Sequence, residues 1–323
     1  MKYLVEVMTA LFLTCTIAIA VGTSAGDATT NQSQKHVQGD TQDRRTQQMA
    51  TPEISRAKQA AEQNAQKALD QDAIGAIAST RKAIDAIKSN RNDQAIKSIE
   101  DATGKINILV ARNPANALIP VSTDVRIIDI APEDMGTIKG IAHDASWAVE
   151  AKDFPAARVL LDQLVSEIRV RTYNLPLATY PVALQEAARL LDQKKASDAS
   201  IVLQTALNTL VAVDNVTPIP IVVAREAVKQ AQAQEKNDKN TAQNLLQVAK
   251  NELDRARELG YAGKDQEYAS LNNEISDLQK QLASNGDTNS IYAKLKERID
   301  AFLNRQSKQQ NGTTQPQRTA QAR

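Results

Sequence analysis

Cysteine is nearly missing from this chain. Of 323 residues the one cysteine is Cys15, inside an apolar stretch near the start. Removal of that stretch would leave no disulfide, no thiol nucleophile and no thiolate metal site. Aromatic residues make up only 3 %, too few for a platform on which bases or sugars stack. Net charge is +1, with basic and acidic residues interspersed. No global field therefore attracts nucleic acid or an anionic membrane. There are two histidines, His36 and His143, and no HExxH, GxSxG, P-loop or Gly-rich dinucleotide motif. The expectation is a protein that is not an enzyme and carries neither cofactor nor metal.

What remains is rich in Ala, Leu, Ile, Gln and charged residues, most of which lose little side-chain freedom in a helix. Residues 1–25 read as a targeting segment. Lys2 gives a positive start, Thr9 to Val21 (TALFLTCTIAIAV) an apolar run, and Thr23 and Ala25 the small residues before cleavage. The run is shorter than the roughly 20 residues a spanning helix needs. A signal peptide cleaved after Ala25, a periplasmic destination and no stable membrane insertion are therefore expected. Residues 26–51 form a polar linker and 306–323 a polar tail, neither with enough apolar surface to offset ordering. A helical domain is expected over 52–305.

Within it a pattern recurs: an apolar helix, a polar turn, then Ala followed by apolar residues three and four positions on. Ile84–Ile87 lead to Ala95 and Ile99. Trp147–Val149 lead to Ala157, Leu160 and Leu161. Leu190–Leu191 lead to Ala199, Val202 and Leu203, and Val228–Ala233 to Ala242, Leu245 and Leu246. This spacing puts the apolar residues on one face, and the small Ala lets two antiparallel helices approach closely. The near-constant spacing of Ala157, Ala199 and Ala242 resembles that of helical repeat arrays. The longer first interval reflects an insertion, Asn107 to Gly140, whose β-branched Val121–Ile130 reads as a short β-hairpin or extended arm. Pro132-Glu133-Asp134 should open the next helix. Pro181 should start another, with Thr179 as its cap. Gly260 should end the helix Thr241–Leu259. Leu271, Ile275, Leu278 and Leu282 form a seam answered by Ile291, Leu295, Ile299 and Leu303 across Asn285-Gly286-Asp287, an intramolecular helical hairpin. The fold class is mainly α: antiparallel helical hairpins with a short β-hairpin or extended insertion.

Candidate sites are few. His143 stands one helical turn before Trp147, so the two rings can meet, whereas His36 falls in the polar linker. Asp124, Asp129, Glu133 and Asp134 cluster in the insertion, but at no EF-hand spacing. The conspicuous block is bounded by prolines. Tyr173, Leu175, Pro176 and Tyr180 precede one helix, Pro218 and Ile219 follow the next, and Arg169 and Arg171 lie upstream. Were both extended segments at one end of the hairpin, they would form an apolar groove with tyrosine hydroxyls at its rim and arginines to pair an anion. The rival reading places the same residues at the centre of the core, with prolines fixing corners; NVTPIPIVV (Asn215–Val223) would then cross as a buried extended connection.

The phrases EIRVRTYNLPLATYPVAL, ARLLDQKKASDA and LQTALNTLVAVDNVTPIPI closely resemble the YfdX family of exported bacterial helical proteins. INILVARNPANALIPV and ARELGYAGKDQEYASL support the resemblance, which runs from about Ile54 to Leu303. It implies a largely α-helical periplasmic protein associated with envelope or acid stress, chaperone-like or small-molecule-binding in some members. It supplies no catalytic residues to carry over. The scarcity of histidine fits poorly with an acid sensor built on histidine protonation. Two functions are expected. The first is a stress-associated binding protein whose partners are unfolded-protein clients or small amphipathic molecules. The alternative is a structural module for self-association, as a homo-oligomer, or for docking in the cell envelope.

Overall fold

Three of the hairpins end their first helix in the same left-handed turn. In a computed structural model, described over residues 51–114, 118–261, 266–284 and 286–309, Asn90, Lys152 and Lys194 have φ of 57, 62 and 62°. Each lies five residues before the Ala of its hairpin (Ala95, Ala157, Ala199). The following residue closes a six-residue ring: Arg91 N donates to Ala86 O (2.9 Å), Asp153 N to Ala148 O (2.8 Å) and Lys195 N to Leu190 O (2.8 Å). This Schellman geometry satisfies carbonyls that the helix end leaves free and reverses the chain in three residues.

The described elements run as follows. Helix α1 spans 51–67. Helices α2 (Gln71–Lys88) and α3 (Asn92–Arg112) lead to strand β1 (Leu118–Asp129). Helices α4 (Met135–Glu150) and α5 (Phe154–Asp162) lead to β2 (Ser166–Pro176), and α6 (Tyr180–Asp192) and α7 (Ala196–Asn208) to β3 (Val211–Pro218). Then come α8 (Ile219–Gln234), α9 (Lys239–Glu258), α10 (Gln266–Ala283) and α11 (Asn289–Gln309). Helix–helix–strand thus occurs three times in succession. The strands assemble into one antiparallel sheet in the order β1-β2-β3, so the extended insertion finds its partner in β2, beyond the next hairpin.

Two apolar cores hold the helices. The first joins the α2–α3 and α6–α7 hairpins, α2 packing on α7 and α3 on α6, around Ile84, Ile87, Ile99, Ile106, Leu191 and Leu203. The second joins α8–α9 with α10–α11. There Leu271, Ile275, Leu278 and Leu282 face Tyr292, Leu295, Ile299 and Phe302, all buried. The expected seam is present, with Tyr292 and Phe302 beside Leu303 in it and Ile291 only half-buried. A smaller cluster of Ile168, Ile219 and Val223 packs under α1 through Ile54, Ala57 and Ala61.

Capping follows the sequence at several ends. Asp70, Asp134, Asp153 and Asp238 accept backbone N–H bonds at the starts of α2, α4, α5 and α9, each worth about 1 kcal/mol. Gly260, at φ 88°, ends α9 as expected; Tyr261 N donates to Ala256 O and Gly260 N to Arg257 O, both 2.9 Å. Four details differ from expectation. Pro132 lies just outside α4, whose cap is Asp134. Thr179 occupies the cap position of α6 without making the capping bond. The extended run ends at Pro218, and Pro220 already sits in the first turn of α8, where a missing N–H costs nothing. Helix α11 continues to Gln309, past the expected boundary at 305.

Every described residue falls in one compact unit, Thr46–Arg323. The signal segment, nearly all of the linker, His36, Asn285 and residues 310–323 lie outside the described residues. Among the described ones, no helix is long and apolar enough to cross a membrane.

Candidate functional site

Antiparallel pairing decides the fate of the proline-bounded block. In β2–β3, Asn174 pairs with Val211 while Glu167 pairs with Pro218. The end of β2 therefore meets the start of β3, and Pro218 lies at the far end of the sheet. Nine residues separate Glu167 from Pro176, roughly 30 Å of extended chain. The eight candidates split accordingly. Leu175 and Tyr180 are buried in the first core, with Tyr173 and Pro176 half-buried near them. Pro218 and Ile219 are buried at the opposite end, Ile219 against Ile168 and Val223. No single groove contains them all.

The polar groups of the block are occupied. The Tyr180 hydroxyl, far from any rim, donates to Thr80 Oγ1 at 2.8 Å, and Thr80 donates in turn to Ala76 O at 2.9 Å. Burial raises the Tyr180 phenol above its ordinary value. Arg171 makes a bidentate bond to Asp214, both contacts 2.7 Å. That hydrogen-bonded guanidinium holds the Asp214 carboxyl below the usual carboxylate range. Arg169 donates to Glu167 through Nε at 2.7 Å. Tyr261 also donates to Glu167, at 3.0 Å, and accepts from Ser166 N at 2.9 Å. Both arginines already have carboxylate partners, so neither is held in reserve for an anion.

The other candidates disperse. His143 is exposed beside Asp144, with Nδ1 3.5 Å from Oδ1. Asp124 pairs with Arg126, Asp129 accepts from Ser166 Oγ, and Asp134 caps α4. Among the described residues no three such groups gather as a metal site.

A different surface stands out. Six of the large apolar side chains left exposed lie between 130 and 161: Ile130, Trp147, Val149, Phe154, Val159 and Leu161. They belong to the α4–α5 hairpin and its approach. Superposing the three hairpins on Ala95, Ala157 and Ala199 makes Val149 equivalent to Ile87 and Leu191, and Leu161 equivalent to Ile99 and Leu203. Ile87, Ile99, Leu191 and Leu203 are 6, 2, 5 and 0 % exposed, because the first and third hairpins cover each other; Val149 and Leu161 are 47 and 52 % exposed. Trp147, 67 % exposed, stands where the others carry Asp85 and Arg189. Reading each hairpin separately hides this. The signal was Val149 and Leu161, apolar at two positions that are core in the other hairpins, although Lys139 and Ser146 stand where the first hairpin has buried Ile77 and Ile84.

The feet of this hairpin are fastened. Ile130 N and Ala131 N both donate to Val165 O at 3.0 Å. Arg255 of α9 donates to Pro132 O and Ala131 O, both 3.3 Å, and to Glu252 at 3.5 Å. Burial pushes the Glu252 carboxyl upward, although Arg255 opposes the shift. The exposed face is thus carried on anchored elements rather than on a loose loop.

Fold and surface together define a mainly α protein of repeated helical hairpins about a small antiparallel sheet, with one hairpin face uncovered. The YfdX family profile, described as YfdX protein, matches residues 76–216, which takes in the three helix–helix–strand units almost entirely. That region is similar to the YfdX family, over a narrower span than the resemblance from Ile54 to Leu303. A solved structure of Salmonella Typhi YfdX is similar at 13 % identity over 47 % of this chain and 93 % of that one, with a TM-score of 0.32. No curated protein matches.

Proposed function

We propose that the protein is a non-enzymatic periplasmic binding protein that buries apolar segments of partner proteins, in a chaperone-like manner under stress, on the α4–α5 face. One observation carries this reading: Val149 and Leu161 lie open to solvent at positions whose counterparts in the neighbouring hairpins are core. Large apolar side chains left exposed together on one hairpin mark a contact site, and their removal from water supplies the driving force. The proline-bounded block offers less, since its apolar residues are packed and its arginines paired. Export after cleavage at Ala25 would put the surface among unfolding envelope proteins.

The test is suppression of aggregation of an unfolding client. The mature chain should suppress it near stoichiometric ratio, and Trp147→Glu with Leu161→Glu should abolish the effect while Val182→Glu, at an exposed apolar position on α6, leaves it intact. Suppression that survives the double substitution would remove this face from the mechanism. Absence of suppression by the unsubstituted chain would remove the chaperone-like reading itself.

A further inference from the structure

We propose that the open edge of β1 takes an extended segment of a partner chain as one more antiparallel strand beside the sheet order β1-β2-β3. The proposal rests on the client-binding reading above for the kind of partner, but its site is separate from α4–α5.

Hydrogen-bond direction defines the edge. Ile130 N donates to Val165 O, while Ser166 N turns away from β1 to the Tyr261 hydroxyl. In the register that runs from Thr123↔Thr172 to Asp129↔Ser166, the backbone groups of Asp124, Arg126 and Ile128 therefore face β2. Those of Thr123, Val125, Ile127 and Asp129 face outward. Among the described residues, none of these outward N–H and C=O groups has a hydrogen-bond partner. Upstream the edge is closed: Asp70 N donates to Pro120 O at 3.1 Å, and Val121 is skipped in the ladder. The open part runs over 123–129, roughly 20 Å of strand.

Little else guards it. Ile127 is 42 % exposed, and Arg126 and Asp129 are exposed with it. Helix α1 meets β1 at Val125, on the sheet face of Ile168 rather than at the edge. The opposite edge strand differs, since α11 lies against β3. Natural sheets blunt open edges with lysine, proline or a short strand. Beyond Ser122, β1 has no lysine or proline, its one cation, Arg126, is paired with Asp124, and at 12 residues it is the longest of the three strands.

The chemistry of the edge selects its occupant. Unpaired backbone donors and acceptors at strand spacing are matched by another extended backbone, which an unfolded client presents. Directly opposite residues of an antiparallel pair share a face. Residues opposite Thr123, Val125 and Ile127 thus project beside β-branched side chains, whereas those opposite Asp124 and Arg126 project among charges. The segment that fits is about seven residues long, apolar at alternate positions and polar between. A second copy fits less well. The two-fold register that uses all four outward residues sets Arg126 opposite Arg126, and like charges directly opposite repel.

The test uses the mature chain and a labelled peptide of about nine residues, valine and isoleucine alternating with threonine and lysine, followed by fluorescence anisotropy. Saturable binding is expected, with amide hydrogen exchange slowed at Thr123, Val125 and Ile127. Methylating the backbone nitrogens of the peptide's apolar residues, which face β1 in an antiparallel addition, should weaken binding at least about tenfold. Methylating those of its polar residues should not. Ile127→Pro removes an outward donor that the fold does not use; it should weaken binding as much, with far-UV circular dichroism unchanged, while Val182→Glu leaves binding alone. No binding overturns the inference, as does equal binding of the three peptides without protection along β1. A chain already dimeric that Ile127→Pro turns into a monomer overturns it too, and assigns the edge to a second copy. Peptide binding gained only on removal of residues 26–50 overturns it in favour of the chain's own linker. Failure here and failure of the proposed function are distinguishable. Suppression lost in Trp147→Glu with Leu161→Glu, together with no peptide binding, refutes the added strand and leaves client binding in place; a peptide held on β1 by a chain that suppresses nothing does the reverse.

Discussion

Truncating Tyr180 separates a core residue from a ligand residue. Its ring is fully buried in the first core, and its hydroxyl donates to Thr80 Oγ1, which keeps its own bond to Ala76 O. In Tyr180→Phe the ring's packing survives and Thr80 loses an incoming bond without becoming an unsatisfied donor. The cost should be about 1 kcal/mol, the net worth of one neutral hydrogen bond. In Tyr180→Ala the ring also goes, leaving a cavity between α2 and α6, and the cost should rise to roughly 3–5 kcal/mol. Urea denaturation followed at 222 nm is the assay. Trp147 is the wrong reporter, because it lies on the surface of another hairpin. The thermal midpoint should fall by roughly 2–4 °C per kcal/mol for a chain of this size. A Tyr180→Ala variant destabilised by less than about 1 kcal/mol would refute the core assignment, and the groove reading would return.

Further outcomes follow from particular contacts. A double-mutant cycle on Arg171→Ala and Asp214→Ala should give a coupling of at most about 1 kcal/mol, because the cross-strand pair is partly exposed, and it should shrink with salt; zero coupling at low salt would contradict the bidentate geometry. Burial raises Glu252 above its ordinary 4.5, so just above that pH the folded state binds more protons than the unfolded one, and stability falls as pH rises through the window. Urea midpoints at about pH 5 and about pH 7 should therefore differ less in Glu252→Gln than in the unsubstituted chain, and an unchanged difference would refute the shift. Lys194, at φ 62°, bears the left-handed strain that glycine lacks, so Lys194→Gly should stabilise by up to about 1 kcal/mol, while Asn90→Gly should gain less; a loss in Lys194→Gly would show that the lysine's packing outweighs the strain.

Local physics was legible and non-local pairing was not. Leu271, Ile275, Leu278 and Leu282 declare a buried stripe because helical period lies within a few residues. The Ala95, Ala157 and Ala199 turns repeat because a Schellman closure needs only six residues. Gly260 reads directly as a helix stop. Strand order is another matter. β1 shows its extended character through its β-branched content, but its partner β2 lies beyond an entire hairpin, and nothing local names it. The same limit misplaced the candidate groove. Pro176, Pro181, Pro218 and Pro220 looked like the rim of one site, yet they mark strand-to-helix junctions at opposite ends of a sheet. The direction of β3 along β2 determines their separation, and composition does not encode direction.

The three hairpins also separate what this chain needs in order to fold from what it does not. At the position of Trp147 the other two carry Asp85 and Arg189; at that of Phe154 they carry Asn92 and Ala196. Both alternatives support the same turn, the same closing hydrogen bond and the same helix pair. Neither an indole nor a phenyl ring is therefore required by the hairpin, and both are costly to leave in water. Val149 and Leu161 differ in kind: they keep the apolar identity that the packed hairpins use, but lack the neighbour that would bury it. Residues the repeat does not require and residues the repeat leaves uncovered coincide on one hairpin. The contact proposed above, made outside the chain's own fold, would account for both at once.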